Sequence, residues 1–189
     1  MARLREFEIE DAVEGVMGVF WRNGYDGASM QDIEAATGLN KQSLYRVFPD
    51  KRAMYLAALA RYERNEVEKT AAVLAGGGSA KSRFGALFGG VVARATKGDR
   101  TGCFLCNAAL DQAQRDDETR ALVSAAMVRI EKLFREALSA SAPYDRSPAR
   151  AQGKAAELLA AYCGLRVLTR ASAPLRLIKA AADAAVAAI

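Results

Sequence analysis

Two short stretches of this sequence hold residue types that could do chemistry. In "LNKQSLYRVF", residues 39–48, Lys41, Gln42, Tyr45 and Arg46 are donors suited to phosphate oxygens and base edges, and helical spacing puts them on the side opposite the apolar residues. In "TGCFLCNAALD", residues 101–111, Cys103 and Cys106 are spaced as a thiol pair able to meet an electrophile or an oxidant. The same spacing occurs in thiol-disulfide enzymes, but the βαβ setting such a motif requires is missing. The chain has no histidine, so zinc sites and acyl-transfer triads lose their commonest side chain. No metal, cofactor or catalytic residue is therefore expected. Two thiols would need Asp111 or Cys163 to complete a metal site.

The first stretch is held by local punctuation. Ser29 is a good N-cap, and Asp32 can reach back to its backbone as an acidic variant of the capping box. Met30, Ile33 and Thr37 recur on one helix face until Gly38 ends it. Asn40 caps a second helix, with Leu39 and Leu44 as the two ends of a hydrophobic staple. Leu44, Val47 and Phe48 are expected to point inward. The helix N-terminus adds free N–H groups and a positive dipole end beside Lys41 and Gln42. A plain helical hairpin would also show a polar face. Capped helix, glycine turn and capped helix in that order instead predict a helix-turn-helix, whose second helix enters the DNA major groove.

Composition agrees with a folded chain: 189 residues with 51% hydrophobic can bury a real core. The net charge of +5 invites an inference to nucleic acid that the charge distribution does not support directly. Residues 1–52 carry seven Lys/Arg and nine Asp/Glu, a net of −2, which leaves +7 for the remainder. The support is local, since Lys41, Arg46, Lys51 and Arg52 face only Asp50 between residues 41 and 52. No signal peptide or membrane-length apolar run is apparent, and the three cysteines read as reduced thiols, so the expected location is cytoplasmic.

Helical patterns run almost throughout, predicting an all-α protein. Ile9, Val13, Val16 and Phe20 mark a first helix closed by Asn23-Gly24, with Tyr25 turning back onto the core. Beyond Pro49, Asp50 caps a long helix over 51–74, broken by "GGGS". Further helices are predicted near 80–97, 103–114, 117–140, 149–171 and 175–188. No strand pattern or internal repeat is seen.

The ordered set "NGYDGASM", "DIEAATGLNKQSLYRVF" and "FPDK" resembles the DNA-binding domain of the tetracycline-repressor (TetR) family, over about a third of the chain. The resemblance implies a three-helix N-terminal domain (1–50) and a larger helical effector-binding and dimerisation domain (51–189), connected by helix 51–74. It implies a homodimeric transcriptional regulator, usually a repressor, that leaves an inverted-repeat double-stranded DNA operator when a small effector binds. By this resemblance Lys41, Gln42, Tyr45 and Lys51 meet DNA and Ser29 caps at the phosphates. With Thr37, Ser43 and Arg46 these form the expected interface. "GCFLCNAALD" also resembles a "GC-x-x-x-N-x-A" element of some branches.

For the effector, an apolar or electrophilic small molecule, the candidates are Phe84, Phe88, Phe104, Met127, Phe134 and Tyr162, although such residues at helical spacing also make ordinary core. The helices at 149–171 and 175–188 are dense in alanine and are expected to pair with a second copy, the alternative being packing within one chain. Thr101 could cap a helix starting at Gly102. That would put Cys103 in the first turn as a lowered-pKa target and Cys106 behind it as resolving thiol, unless both are simply buried apolar residues.

Overall fold

The computed structural model describes the backbone of residues 2–189 and the side chains from Glu10 onward. Ile9, expected on the first helix, therefore lies outside the described side chains. The elements are α1 (Ala2–Gly27), α2 (Met30–Thr37), α3 (Lys41–Val47), α4 (Lys51–Leu74), α5 (Ala80–Thr96), α6 (Phe104–Asp111), α7 (Asp117–Ser139), α8 (Pro148–Arg170) and α9 (Leu175–Ala187). The described residues are all helix and loop, so the fold is all-α as expected.

Local chemistry explains the first three boundaries. Ser29 Oγ accepts from the Asp32 N–H at 3.1 Å while Asp32 Oδ2 accepts from the Ser29 N–H at 3.0 Å, a reciprocal capping box. Gly38 ends α2 at φ 69°, and its N–H donates to the Glu34 carbonyl. Asn40 Oδ1 accepts from the Ser43 N–H at 2.9 Å, and Asp50 Oδ1 accepts from Ala53 at 2.7 Å to start α4. The first helix is kinked at Gly24 (φ 74°, ψ 178°), which swings Tyr25 back against Phe20 and Tyr55.

One core runs through the whole molecule. Val16, Phe20, Ile33, Leu44, Met54 and Leu59 close the N-terminal three-helix unit, and the same cluster continues into Phe84, Phe88, Phe104, Leu105 and Phe134. Edge-to-face aromatic pairs bridge the two parts, with Tyr55 meeting Phe20 at 5.2 Å and Phe104 at 5.5 Å. Helix α4 packs on α1 at one end and on α7 along its length. It is joined by α6, which packs on both α1 and α4. Polar ties across this junction are the Tyr25 N–H to Asp111, Arg52 to Asp116 and Glu118, and Arg170 to the Arg22 carbonyl. Arg83 closes the far end, donating to the carbonyls of Leu74 and Ala137 at the C-termini of α4 and α7.

Candidate nucleic-acid interface

The recognition helix, α3, has one buried side chain, Leu44, with Phe48 buried just beyond it. Opposite lies an open concavity lined by Lys41, Gln42, Tyr45 and Arg46. All four are exposed, so the structure brings the expected contact residues onto one surface. Lys41 Nζ sits 5.9 Å from the Tyr45 ring centre, and Lys51 Nζ lies 4.8 Å from the Tyr25 ring centre. Both ammonium groups are thereby steadied without being neutralised. Ser29 is exposed at the start of α2, with its hydroxyl also donating to Asp32.

Three expectations are corrected by the geometry. Val47 is 39% exposed and does not join Leu44 and Phe48 inside, because the helix is seven residues long and its last turn projects past the core. The helix N-terminus is less free than expected, since the Glu34 carboxylate accepts from the Lys41 N–H and Asn40 from the Ser43 N–H. Arg52, counted among the local positive charges, is tied to Asp116 and Glu118. Thr37 and Ser43 are half-buried, and the Thr37 hydroxyl donates to the Ile33 carbonyl at 2.8 Å while accepting from the Leu39 N–H at 3.2 Å. The Thr37 hydroxyl thus organises the turn.

The six effector candidates do not line one cavity. Phe84 stacks edge-on to Phe134 at 5.1 Å, and Tyr162 lies within 6 Å of both Phe134 and Phe88. Phe104 belongs to the separate cluster with Tyr55 and Tyr62. Met127 is half-buried and receives the Cys163 thiol at 3.8 Å. Two of the six, Phe88 and Tyr162, each border a different open space among the C-terminal helices. A cleft of about 410 Å³ lies between α5 and α9 beside Phe88, and a cavity of about 50 Å³ lies between α4, α5 and α8 beside Tyr162.

The cysteine segment also differs from expectation. Helix α6 begins at Phe104, Cys103 is its N-cap residue, and Thr101 bonds back to Asp99 through both its N–H and its hydroxyl. Gly102 cannot open a helix: its φ is +70°, and a Cβ there would stand 2.9 Å from the Arg166 carbonyl and 3.0 Å from Arg170 Cβ. Cys103 and Cys106 are buried and Cys163 is half-buried. The Cys106 thiol, helped by the Arg166 charge, brings Cys103 down to about 6 against the opposing effect of burial. The neighbouring Cys103 and Cys163 groups and burial push Cys106 up. Among the described residues no three His, Cys, Asp or Glu side chains form a group able to hold a metal ion. No helix there is long and apolar enough to cross a membrane.

Sequence reading missed the group behind these thiols. Arg166 is 2% exposed, donates to Tyr62 Oη at 3.0 Å, and bonds Glu66 and Tyr162 Oη, while Tyr162 donates to Glu66 at 2.9 Å. The sequence signal for it was an arginine on the apolar run of α8, and two of its three partners, Tyr62 and Glu66, lie about a hundred positions earlier.

Residues 14–58 match the family of bacterial regulatory proteins, tetR family. The chain is 30% identical over 119 residues to an uncharacterized HTH-type transcriptional regulator, YezE of Bacillus subtilis, covering 62% of this chain and 61% of that one. It is also 30% identical over 107 residues to the HTH-type transcriptional repressor ComR of Escherichia coli, covering 56% and 51%. The matches thus span between half and two thirds of the length of these curated relatives. A solved cysteine mutant of the TetR family transcriptional regulator CifR, complexed with 26-base-pair operator DNA, is similar over 95% of both chains at 26% identity and a TM-score of 0.81. With its capped helix-turn-helix at the matched residues and this fold along nearly its whole length, the chain carries the DNA-binding domain of the tetR family at residues 14–58 and has the fold of TetR-family transcriptional regulators.

Proposed function

We propose that the protein is a sequence-specific DNA-binding repressor that acts as a homodimer on an inverted repeat and is released by a small effector. The observation that carries the reading is the single exposed face of Lys41, Gln42, Tyr45 and Arg46 on a helix fixed at both ends. Gln42 suits the two edges of an adenine and Lys41 a guanine, whereas Tyr45 and Lys51 suit phosphates. The operator complex of CifR and the repressor name of ComR support it, and the location that the reading implies is the cytoplasm.

The dimer reading rests on what α8 and α9 leave uncovered. Leu158, Tyr162, Leu165, Ile178 and Ala182 are used inside the chain. The outward stripes are Gly153, Ala156, Ala160, Gly164 and Val167 on α8, and Leu177, Ala180 and Ala184 on α9 with Ala188 at its C-cap. A Cβ on Gly153 or Gly164 would meet nothing within 4 Å, so the single chain does not need these glycines, but close approach of a second copy does. Two copies also provide the two half-sites that one recognition helix cannot, spaced about 34–36 Å or a multiple.

Selection of duplexes from a random pool, followed by anisotropy titrations across salt, tests the reading. Gln42→Ala should lose about 1–3 kcal/mol of discrimination at one position per half-site. Lys51→Ala should weaken all duplexes alike and lower the salt slope by about 0.9. Unchanged specificity in the first and unchanged slope in the second would refute the docking.

The lowered Cys103 thiol favours a second reading, in which an electrophile is the trigger. The Cys103 sulfur would add to the β-carbon of a Michael acceptor and the α-carbon would take a proton from water. N-ethylmaleimide should then release DNA from the wild type but not from Cys103→Ser. Equal DNA affinity before and after treatment of the wild type rejects it.

A further inference from the structure

The recognition helix has little packing to fix its direction. Of its seven residues only Leu44 is buried, with Phe48 just beyond, and it meets each neighbouring helix through few residues, whereas α1 packs extensively on α2 and α4. A helix so short is not stable by itself, so its direction depends on what holds its ends. The cap at Asn40 does not set that direction, because Asn40 Oδ1 and the Ser43 N–H that it accepts from both travel with the start of α3. Lys41 and Gln42 stand in the first turn, so a tilt of α3 about Leu44 displaces both.

Among the described residues one hydrogen bond crosses from α2 to that first turn. The Glu34 carboxylate accepts from the Lys41 N–H, seven positions on, while the Glu34 carbonyl accepts from the Gly38 N–H that ends α2. The same residue therefore ends one helix and anchors the start of the next. A carboxylate suits the second task, since the start of a helix presents N–H groups without an intrahelical partner and the positive end of its dipole, and a charged acceptor makes the stronger bond. The platform that carries Glu34 is itself fixed. Ile33 is fully buried, Ser29 and Asp32 close the start of α2, and α1 approaches so closely that a Cβ on Gly15 would stand 3.0 Å from the Ala36 carbonyl oxygen and 3.0 Å from Thr37 Cγ2.

We propose that Glu34 is a positioning residue for DNA readout: its bond to the Lys41 N–H sets the direction of α3 on α2 before DNA arrives, so that Lys41 and Gln42 reach base edges without a further ordering cost. Glu34 itself reads no base. Loss of the tie therefore shows in discrimination between sequences, and not in the affinity for DNA at large, which phosphate contacts from other residues supply. The inference rests on the proposed reading of the chain as a sequence-specific DNA-binding protein.

The test uses the full-length protein and the duplex that the wild type selects from a random pool, compared with its single-base variants and a scrambled duplex in anisotropy titrations at one salt concentration. Glu34→Ala should lose about fivefold or more of the discrimination at the positions that Lys41→Ala or Gln42→Ala also relaxes, while binding the scrambled duplex within about twofold of the wild type. Glu34→Gln keeps an acceptor oxygen at the same reach and should hold discrimination within about twofold of the wild type. Both variants should keep the helix content of the wild type by circular dichroism. Wild-type discrimination in Glu34→Ala, an equal loss in Glu34→Gln, or a weakening of selected and scrambled duplexes alike would overturn the role of Glu34. A wild type that prefers no duplex would instead refute the DNA-reading function itself.

Discussion

Removing the charge of Glu66 should cost more stability than removing any surface charge of the molecule. Glu66 and Arg166 are 5% and 2% exposed in their side chains, and two tyrosine hydroxyls complete the set. Glu66→Gln keeps the shape and one acceptor oxygen but takes from the buried guanidinium the carboxylate it bonds, with the Cys103 group left to offset its charge in part. Breaking one side of such a pair costs about 3–5 kcal/mol, and the retained oxygen places this variant near about 3. For a chain of this length that corresponds to a fall in Tm of about 6–12 °C. The Arg120–Asp117 pair, 56% and 91% exposed, supplies the contrast, and Asp117→Asn should cost no more than about 0.5 kcal/mol beyond its effect at the helix start. Urea unfolding at fixed protein concentration, followed by calorimetry, measures both. The double variant Glu66→Met with Arg166→Met removes both charges together and should lie within about 1 kcal/mol of the wild type. If Glu66→Gln is within about 1 kcal/mol of wild type, or the double variant is worse than the single, the pair is not the electrostatically closed unit described.

Other outcomes follow from single contacts. Gly164→Leu should give a folded monomer by light scattering, with weakened DNA binding, and a dimer of normal mass would remove the small-residue stripe from the interface. Gly102→Ala, facing both a positive φ and a carbonyl at 2.9 Å, should destabilise the chain by roughly 2 kcal/mol or more, and a neutral effect in urea unfolding would contradict the close approach. Because the thiolate is the nucleophile, a Cys103 group near 6 should react with iodoacetamide at a rate that rises to about pH 7 and then levels, whereas an ordinary thiol keeps accelerating toward 9. Mass spectrometry of the modified peptide reads the profile, and continued acceleration through pH 8 would show Cys103 to be an ordinary buried thiol.

The helix-turn-helix was legible before any fold was known, because each of its stops is a contact between residues a few positions apart. Ser29 with Asp32, Gly38 with the Glu34 carbonyl and Asn40 with Ser43 depend on nothing distant, and the same holds for Asp50 at the start of α4. The exposed side of α3 was legible for the same reason, since Leu44 and Phe48 had to turn inward. Which charges are paired and which helix faces are covered emerged from the packing of distant helices. Arg52 was lost from the expected positive surface to Asp116 and Glu118, and Arg166 met Tyr62 and Glu66 across the domain. The aromatic candidates closed on one another, leaving space beside Lys69 and Arg94. A cap is set by the backbone geometry of one turn, whereas the partner of a long charged side chain is set by how whole helices pack. The energy of burying that charge exists only once they have done so.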